Sequence, residues 1–244
     1  MEKIKAVCLD IDQTLLDFNA CAYGCIKQGF QDWNLPMTES TFETFKTIND
    51  GLWLDQERKI LDHETFLKIR WNRIFEALGF QGLDGQAFEK LFRQYLNESC
   101  EPVRDALQAL DVLSQKYPLY IASNGPTWQQ SHRLEKAGML KYFKRLFTSE
   151  EFGVQKPDPH FYESAYEQMK KDIPDLKKDE ILMIGDSLNA DVNGSLKAGW
   201  KTIWFGGLHD EGDYLVCDDW KQTLQQLGLR LNPQQSMKQN NRKI

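Results

Sequence analysis

Two aspartates, Asp10 and Asp12, follow directly on a short apolar stretch near the start of the sequence. This stretch, Ala6–Leu9, has the near-continuous apolar character that predicts a strand buried on both faces of a parallel sheet. Ligands of open α/β sheets bind outside the carboxyl ends of the strands, so two carboxylates here are placed for nucleophilic attack, proton transfer or cation binding. Aspartates also cap turns and helices, and the pair alone does not separate these interpretations. A calcium loop fits less well, because Thr14 and Leu15 stand where the EF-hand pattern has Asp or Asn and then Gly.

Further polar side chains follow the strands that the sequence predicts later in the chain. They are Ser123 and Asn124 after the second strand, Lys156 after the third, and Asp186 and Asp191 after the fourth. Taken singly, a serine in a turn, a lysine on a loop and an aspartate at a helix start are commonly structural. The carboxyl ends of parallel strands meet at one edge of a sheet, so the whole set is expected to converge with Asp10 and Asp12 on one pocket.

The elements that must position these residues alternate between strand and helix from about residue 103 onward. Strands are predicted at 118–122, 145–148, 181–184 and 201–205, and helices at 107–113, 127–137, 160–171 and 188–198. Such alternation implies parallel pairing with right-handed crossovers. Together with the first strand, it predicts an α/β fold whose core is a doubly wound, Rossmann-like, mostly parallel sheet.

The segment between the first and second strands has a helical pattern instead. Phe45, Ile48 and Leu52 recur at three- and four-residue spacing, and Asp62 is placed to cap a further helix. Its many aromatic residues are expected to pack inward as helix core. The predicted organisation is an α/β core over 1–17 and 99–231, an all-helical insertion over 18–98 and a disordered polar tail over 232–244.

Composition bounds the partners and the location. The chain has 244 residues and a net charge of −6, which argues against a nucleic-acid polymer as partner but permits a small anionic ligand. Its five cysteines are scattered, which favours a reducing compartment, and Cys21 and Cys25 lack the second ligand pair of a zinc site. With no apolar run of about 18 residues and no signal sequence, we expect a cytoplasmic protein without a membrane partner. The choice between monomer and dimer stays open.

The polar sets match, in order, four motifs of a known family. They are Asp10-Ile11-Asp12-Gln13-Thr14, Ser123, Lys156-Pro157, and Gly185-Asp186 with Asp191. On these residues the chain resembles the haloacid dehalogenase-like superfamily of phosphohydrolases over about 1–17 and 100–225. The helical insertion resembles the cap domain that this family places between its first and second motifs.

This resemblance implies a Mg²⁺-dependent phosphatase that acts on a small phosphorylated metabolite. It implies that Asp10 is the nucleophile and that Asp12 is the general acid and base. The implied phosphate-binding residues are Ser123, Asn124 and Lys156. The implied metal ligands are Asp10, the main-chain carbonyl of Asp12, Asp186 and Asp191.

The chemistry of these residue types agrees with those roles. A carboxylate that approaches a phosphate monoester is repelled by about 4 kcal/mol per pair of unit charges at about 4 Å and an effective dielectric near 20. Mg²⁺ held by oxygen ligands and the fixed charge of Lys156 can offset this repulsion. Attack by Asp10 gives an aspartyl-phosphate, and Asp12 can protonate the leaving alkoxide and later deprotonate water. Asp12 must then hold a proton at the first step, which neighbouring carboxylates would favour.

The sequence of the helical insertion indicates which branch of the family the chain resembles. Residues 45–53 and 66–71 resemble the pyrimidine 5'-nucleotidase branch, which hydrolyses nucleoside monophosphates. If the resemblance holds, Asn49, Trp53 and Arg70 are candidates for reading the base or closing over the sugar, although packing or surface roles are the alternative for each. Closure of the cap is expected at hinges near residues 16–20 and 97–103.

Other functions stay open on the sequence alone. A dehalogenase of the family lacks the second aspartate, so Asp12 favours a phosphoester substrate. A sugar-phosphate phosphatase or a phosphomutase would keep all the core residues. A phosphonatase uses a cap lysine, and Lys46, Lys59 and Lys68 cannot be told apart in that role. A non-catalytic phosphoacceptor module also combines aspartates, a hydroxyl and a lysine, but it needs neither the insertion nor Asp12.

Overall fold

The structure is a computed structural model that describes residues 3–208 and 212–231. The chain divides into two compact units, of which one is Phe18–Ser99 and the other consists of the described residues on either side of it. The insertion predicted over 18–98 differs from the first unit by one residue. The tail predicted over 232–244 lies outside the described residues.

The larger unit is built on a six-stranded sheet in the order β3-β2-β1-β4-β5-β6, with every neighbouring pair parallel. Its strands are β1 (Ala6–Leu9), β2 (Leu119–Ser123), β3 (Phe143–Thr148), β4 (Ile181–Gly185), β5 (Lys201–Phe205) and β6 (Leu215–Cys217). The order reverses on either side of β1, as in a doubly wound fold, so the predicted fold class is confirmed. The sequence did not predict β6, because three residues are too few for a periodic signal.

Helices cover both faces of this sheet. They are α5 (Ala106–Ser114), α6 (Thr127–Lys136), α7 (Ser149–Phe152), α8 (Pro159–Asp172), α9 (Gly194–Lys197) and α10 (Trp220–Gln226). Along β1 the side chains alternate between two apolar clusters, with Val7 and Leu9 in one and Ala6 and Cys8 in the other. All four are fully buried, as expected of a central strand covered on both faces.

The smaller unit contains four helices. They are α1 (Phe18–Asp32), α2 (Glu39–Glu57), α3 (His63–Ala77) and α4 (Gly85–Glu98). Its core is aromatic and centres on Trp71, whose ring lies 4.3 Å from that of Phe88 and 5.4 Å from that of Phe92. Asp62 caps α3 by accepting a hydrogen bond from the backbone N–H of Thr65. The aromatic residues thus pack as the helical spacing predicts.

None of the helices in the described part of the chain combines the length and the apolar character needed to cross a bilayer. The expected cytoplasmic location stays a prediction.

Candidate active site

The end of β1 places two carboxylates at the centre of the sheet edge. The N–H of Asp10 donates to the carbonyl of Ile184 at 2.9 Å, which extends the ladder between β1 and β4 by one residue. The chain then turns sharply, with Gln13 at φ +60° and its N–H 2.7 Å from the carbonyl oxygen of Leu16. The side chain of Asp10 is 12% exposed and that of Asp12 is 34% exposed, so the two carboxylates have different surroundings.

Lys156 lies against Asp10 and is itself buried. Its Nζ donates to Asp10 Oδ1 at 2.7 Å, to Asp191 Oδ1 at 2.6 Å and to the carbonyl oxygen of Ala122 at 2.6 Å. These three contacts match the three donors of an ammonium group. The lysine therefore joins the ends of β1 and β2 to the segment that follows β4.

Asn124 holds the loop that carries this lysine. Its Oδ1 accepts from the N–H of Lys156 at 2.8 Å, and its Nδ2 donates to the carbonyl oxygen of Lys156 at 2.9 Å. The peptide bond between Lys156 and Pro157 is cis. Asn124 thus positions Lys156 through its main chain, and the phosphate-binding role that the sequence gives Asn124 stays a prediction.

The segment after β4 brings in two more carboxylates. Carboxylate oxygens of Asp10, Asp186 and Asp191 all lie within 4.8 Å of one another. Asp191 Oδ2 accepts from the N–H of Ser187 at 3.0 Å, so this side chain folds back toward the end of the strand. A Cβ on Gly185 would lie 2.3 Å from that oxygen, so glycine is required there for this packing.

The helix predicted over 188–198 does not form as one regular element. Leu188–Asn193 is π-helical, and α9 begins only at Gly194. The wider turn accompanies the buried position of Asp191, as π-helical turns often accompany functional sites. Apolar spacing does not distinguish such a turn from a regular helix, which is why the prediction was wrong in this detail.

The electrostatics of the cluster are unbalanced toward negative charge. Burial raises the pKa of Asp10 to about 7, with a further rise from Asp191 and an opposing effect of Lys156. Burial, followed by repulsion from Asp10 and Asp191, raises the pKa of Asp186 well above its usual range. Burial opposes the charge of Lys156, but Asp10 and Asp191 outweigh it and raise the pKa of the lysine. One ammonium thus faces three carboxylates, which is a setting that favours a divalent cation.

Two residues of α6, Gln130 and Arg133, also belong to the site. Gln130 Nε2 donates to Asp12 Oδ2 and to Ser123 Oγ, both at 3.0 Å. Arg133 Nη1 donates to Asp12 Oδ1 at 2.7 Å. The close approach of Gln130 needs Gly125, since a Cβ there would lie 2.3 Å from Nε2. Sequence reasoning missed both, although their spacing of three residues places them on one face of the helix that follows Ser123.

The proposed specificity residues lie in the smaller unit. Arg70 is buried, and its Nε and Nη2 donate to the two carboxylate oxygens of Glu89 at 3.0 and 2.6 Å. Its Nη1 donates to Asn49 Oδ1 at 2.9 Å, and Asn49 is buried as well. Trp53 is partly exposed and its ring lies 4.9 Å from that of Phe66. Their role in specificity stays a prediction.

Comparison with known proteins agrees with the geometry of the larger unit. The family model of the haloacid dehalogenase-like hydrolases matches residues 4–199. Pyrimidine 5'-nucleotidase PynA of Streptococcus pneumoniae is 35% identical over 208 residues, which cover 85% of this chain and 86% of PynA. A glyceraldehyde 3-phosphate phosphatase of Methanothermobacter thermautotrophicus is 28% identical, over 82% of this chain and 84% of its own.

A solved structure is similar as well. The HAD-hydrolase YfnB from Bacillus subtilis, in an orthorhombic crystal form bound to magnesium, superposes with a TM-score of 0.86 at 29% identity. The match covers 93% of this chain and all of that chain.

Proposed function

Because the chain belongs to the haloacid dehalogenase-like hydrolases, we propose that it is a Mg²⁺-dependent phosphomonoesterase in which Asp10 carries the phosphoryl group. The observation that carries this proposal is the position of Asp10, whose Oδ1 lies 2.7 Å from Lys156 Nζ and whose carboxylate belongs to the acidic cluster with Asp186 and Asp191. A nucleophile of this kind needs a fixed cation beside it and an acid close by, and Asp12 is two residues away.

The donor set fits Mg²⁺. The cation prefers oxygen ligands and uses one or two carboxylates together with water and substrate phosphate. Asp10 and Asp186 would hold it with the main-chain carbonyl of Asp12, and Asp191 would complete the acidic surroundings while it also binds Lys156 and the N–H of Ser187. When bound, Mg²⁺ would neutralise the carboxylates and polarise the phosphate oxygens.

In the first step the chain's own residues divide the work between them. A carboxylate oxygen of Asp10 forms a bond to phosphorus while the bond from phosphorus to the ester oxygen breaks. As the resemblance to the family implies, Lys156 and Ser123 bind non-bridging phosphate oxygens, and Lys156 would do so by giving up one of its three contacts with Asp10, Asp191 and the carbonyl of Ala122. Asp12 gives its proton to the departing alkoxide, so that the product leaves as an alcohol. The result is an aspartyl-phosphate on Asp10.

The second step regenerates the enzyme. Asp12, now ionised, takes a proton from a water molecule as the water oxygen attacks phosphorus. The bond between phosphorus and the oxygen of Asp10 breaks, inorganic phosphate leaves, and Asp12 again holds a proton.

For the substrate we propose pyrimidine nucleoside 5'-monophosphates. The support is the 35% identity to PynA and the resemblance of residues 45–53 and 66–71 to the same branch of the family. Asn49, Trp53 and Arg70 are the proposed specificity residues, either through direct contact or through the shape of the helices that carry them.

A second candidate is a phosphatase of small sugar phosphates. The relative from Methanothermobacter thermautotrophicus favours it, since its similarity extends over most of both chains. A phosphomutase of the same fold would use the same core residues.

A hydrolysis screen separates these candidates. Free phosphate is measured for UMP, CMP, dTMP, AMP, GMP, glyceraldehyde 3-phosphate and glucose 6-phosphate, each with Mg²⁺ and with a chelator. We expect the highest kcat/KM for the pyrimidine nucleotides and no release with the chelator. Turnover of the sugar phosphates without turnover of nucleotides would reject the nucleotidase assignment, and release that persists in the chelator would reject the metal requirement.

A further inference from the structure

Both carboxylate oxygens of Asp12 are held by one helix. Arg133 Nη1 donates to Oδ1 at 2.7 Å, and Gln130 Nε2 donates to Oδ2 at 3.0 Å. Arg133 also donates to Gln130 Oε1 at 3.2 Å, so the two side chains support each other. Two donors on the two oxygens fix the plane of the carboxylate as well as its position.

The two partners are much more buried than the carboxylate they hold. The side chain of Arg133 is 1% exposed, whereas that of Asp12 is 34% exposed. Gln130 is 2% exposed, so the guanidinium and the amide are both held by packing, while the aspartate stays partly exposed. An arrangement of this kind lets buried side chains of α6 set the direction of an accessible carboxylate.

Gln130 also joins Asp12 to the serine at the end of β2. The same Nε2 that donates to Asp12 donates to Ser123 Oγ at 3.0 Å, and the N–H of Gly125 donates to that hydroxyl oxygen at 3.1 Å. The proposed proton donor and the proposed phosphate ligand thus share one amide group. Gln130 of α6 thus contributes to their separation, together with the turn after β1.

From this geometry we infer that Gln130 and Arg133 are positioning residues that aim Asp12 at the bridging oxygen of the substrate. Each carboxylate oxygen has two lone pairs, and the contacts with α6 use one on each, so Asp12 keeps sites that can hold a transferable proton. The two residues touch neither substrate nor metal in this assignment. Displacement of a catalytic group by about 1 Å can lower a rate by about a hundredfold, so their loss is expected to be felt in the chemical step.

The inference rests on the proposed role of Asp12 as acid, and it is tested with two esters of nearly the same shape. These are 4-nitrophenyl phosphate, whose leaving group needs little protonation, and phenyl phosphate, whose leaving group needs more. The measured quantity is kcat/KM with Mg²⁺, which reports the steps up to release of the phenol. The variants are D12N, R133M, Q130M and the double variant D12N/R133M.

Gln129→Met is the matched control. Gln129 is buried on the same helix, but consecutive helical residues point about 100° apart, so it does not share the face of Gln130. Thermal unfolding of every variant is recorded beside the kinetics.

A positioning role predicts a selective loss. General acids contribute about 10²-fold to 10⁴-fold, so D12N should lose at least about a hundredfold on phenyl phosphate and far less on the nitrophenyl ester. R133M and Q130M should lose about tenfold to a hundredfold on phenyl phosphate and about threefold or less on the nitrophenyl ester. In the D12N background R133M should cause no further selective loss, since its effect passes through Asp12. Gln129→Met should not lower kcat/KM for phenyl phosphate more than for the nitrophenyl ester.

Two results would overturn the inference while the proposed function stands. One is an equal loss on both esters in R133M and Q130M, and the other is a selective loss in R133M that adds in full to that of D12N. If R133M does not fold, Q130M and the double variant D12N/Q130M take the places of R133M and D12N/R133M. If D12N lowers kcat/KM equally for both esters, Asp12 is not the general acid. Both the inference and that part of the proposed mechanism would then be wrong.

Discussion

The two aspartates after β1 are only two residues apart, but their side chains have different surroundings. Asp10 is buried against Lys156, and burial raises its pKa to about 7. Asp12 is partly open to solvent and accepts from Arg133. The proposed nucleophile and the proposed proton donor thus lie in different environments, as two carboxyl groups with different roles in one site commonly do.

At the residue scale, the acidic cluster predicts how stability depends on pH and Mg²⁺. The ordinary pKa of an aspartate is about 3.9, and that of Asp10 is raised to about 7 in the folded chain. Between these values the folded state binds more protons at Asp10 than the unfolded state, so the contribution of Asp10 to the free energy of unfolding without Mg²⁺ should fall as pH rises from about 4 to about 7. Mg²⁺ binds the ionised carboxylates, so its stabilising effect should be larger at about pH 8 than at about pH 5.

Thermal unfolding with and without Mg²⁺ at the two pH values checks this prediction. The test variant is Asp186→Asn, which removes one of the three negative charges of the acidic cluster. It should be more stable than the natural chain at the higher pH without Mg²⁺ and should gain less from the metal. Equal stabilisation by Mg²⁺ at both pH values would argue against a metal held by this cluster.

The residue types and their order along the chain predict the part of this site that lies at the strand ends. Asp10, Lys156 and Asp186 each follow a strand, and a parallel sheet brings strand ends together whatever the details of packing. Gln130 and Arg133 were missed because polar residues at helical spacing usually form a solvated face. In the structure Gln130 packs closely against Gly125, and the sequence pattern does not reveal this contact.

At the scale of the elements, the strand ends were predictable and the geometry of the connections was not. The segment after β4 has the apolar spacing of a regular helix, but Asp191 folds back onto the N–H of Ser187 and the chain becomes π-helical. The edge strand β6 and the short helix α10 contain too few residues for periodicity to show.

In the smaller unit, the Arg70–Glu89 pair joins α3 to α4 and predicts a stability effect. Both side chains are buried, and the rings of Phe66 and Phe92 lie 4.8 and 5.0 Å from the guanidinium carbon. Glu89→Leu leaves a buried arginine without its carboxylate, so we expect a loss of about 3–5 kcal/mol in the free energy of unfolding. The double variant R70M/E89L should recover most of it. Urea unfolding of the three proteins measures both effects.

The exposed pair of Lys46 and Asp50 on α2 provides the control for this stability prediction, and Asp50→Asn should change the free energy of unfolding little.

The double variant R70M/E89L also tests whether Arg70 contributes to substrate specificity. If R70M/E89L unfolds like the natural chain and its KM for UMP is unchanged, Arg70 is a packing residue and does not read the base. A rise in that KM with unchanged stability would assign Arg70 to substrate recognition.

At the scale of the whole molecule, one parallel sheet accounts for most of the proposed chemistry. β1 lies between β2 and β4, so Asp10 has the strand end of Ser123 on one side and the segment that carries Asp186 on the other. The chain passes between its two units at residues 17–18 and 99–100, which fall within the predicted hinge ranges. A cap that closes at these connections stays a prediction.

The central claim is that the phosphoryl group is transferred first to Asp10 and then to water. The most direct test is to measure, after acid quenching, the mass of the peptide that contains Asp10. The protein is mixed with excess UMP or 4-nitrophenyl phosphate and Mg²⁺, and Asp12→Asn is included because slower hydrolysis should let the intermediate accumulate. We predict one added phosphoryl group on this peptide, placed on Asp10, and neither phosphorylation nor phosphate release in a folded Asp10→Asn variant. Phosphate release by Asp10→Asn at an undiminished rate, or a phosphoryl group on another residue, would contradict the account.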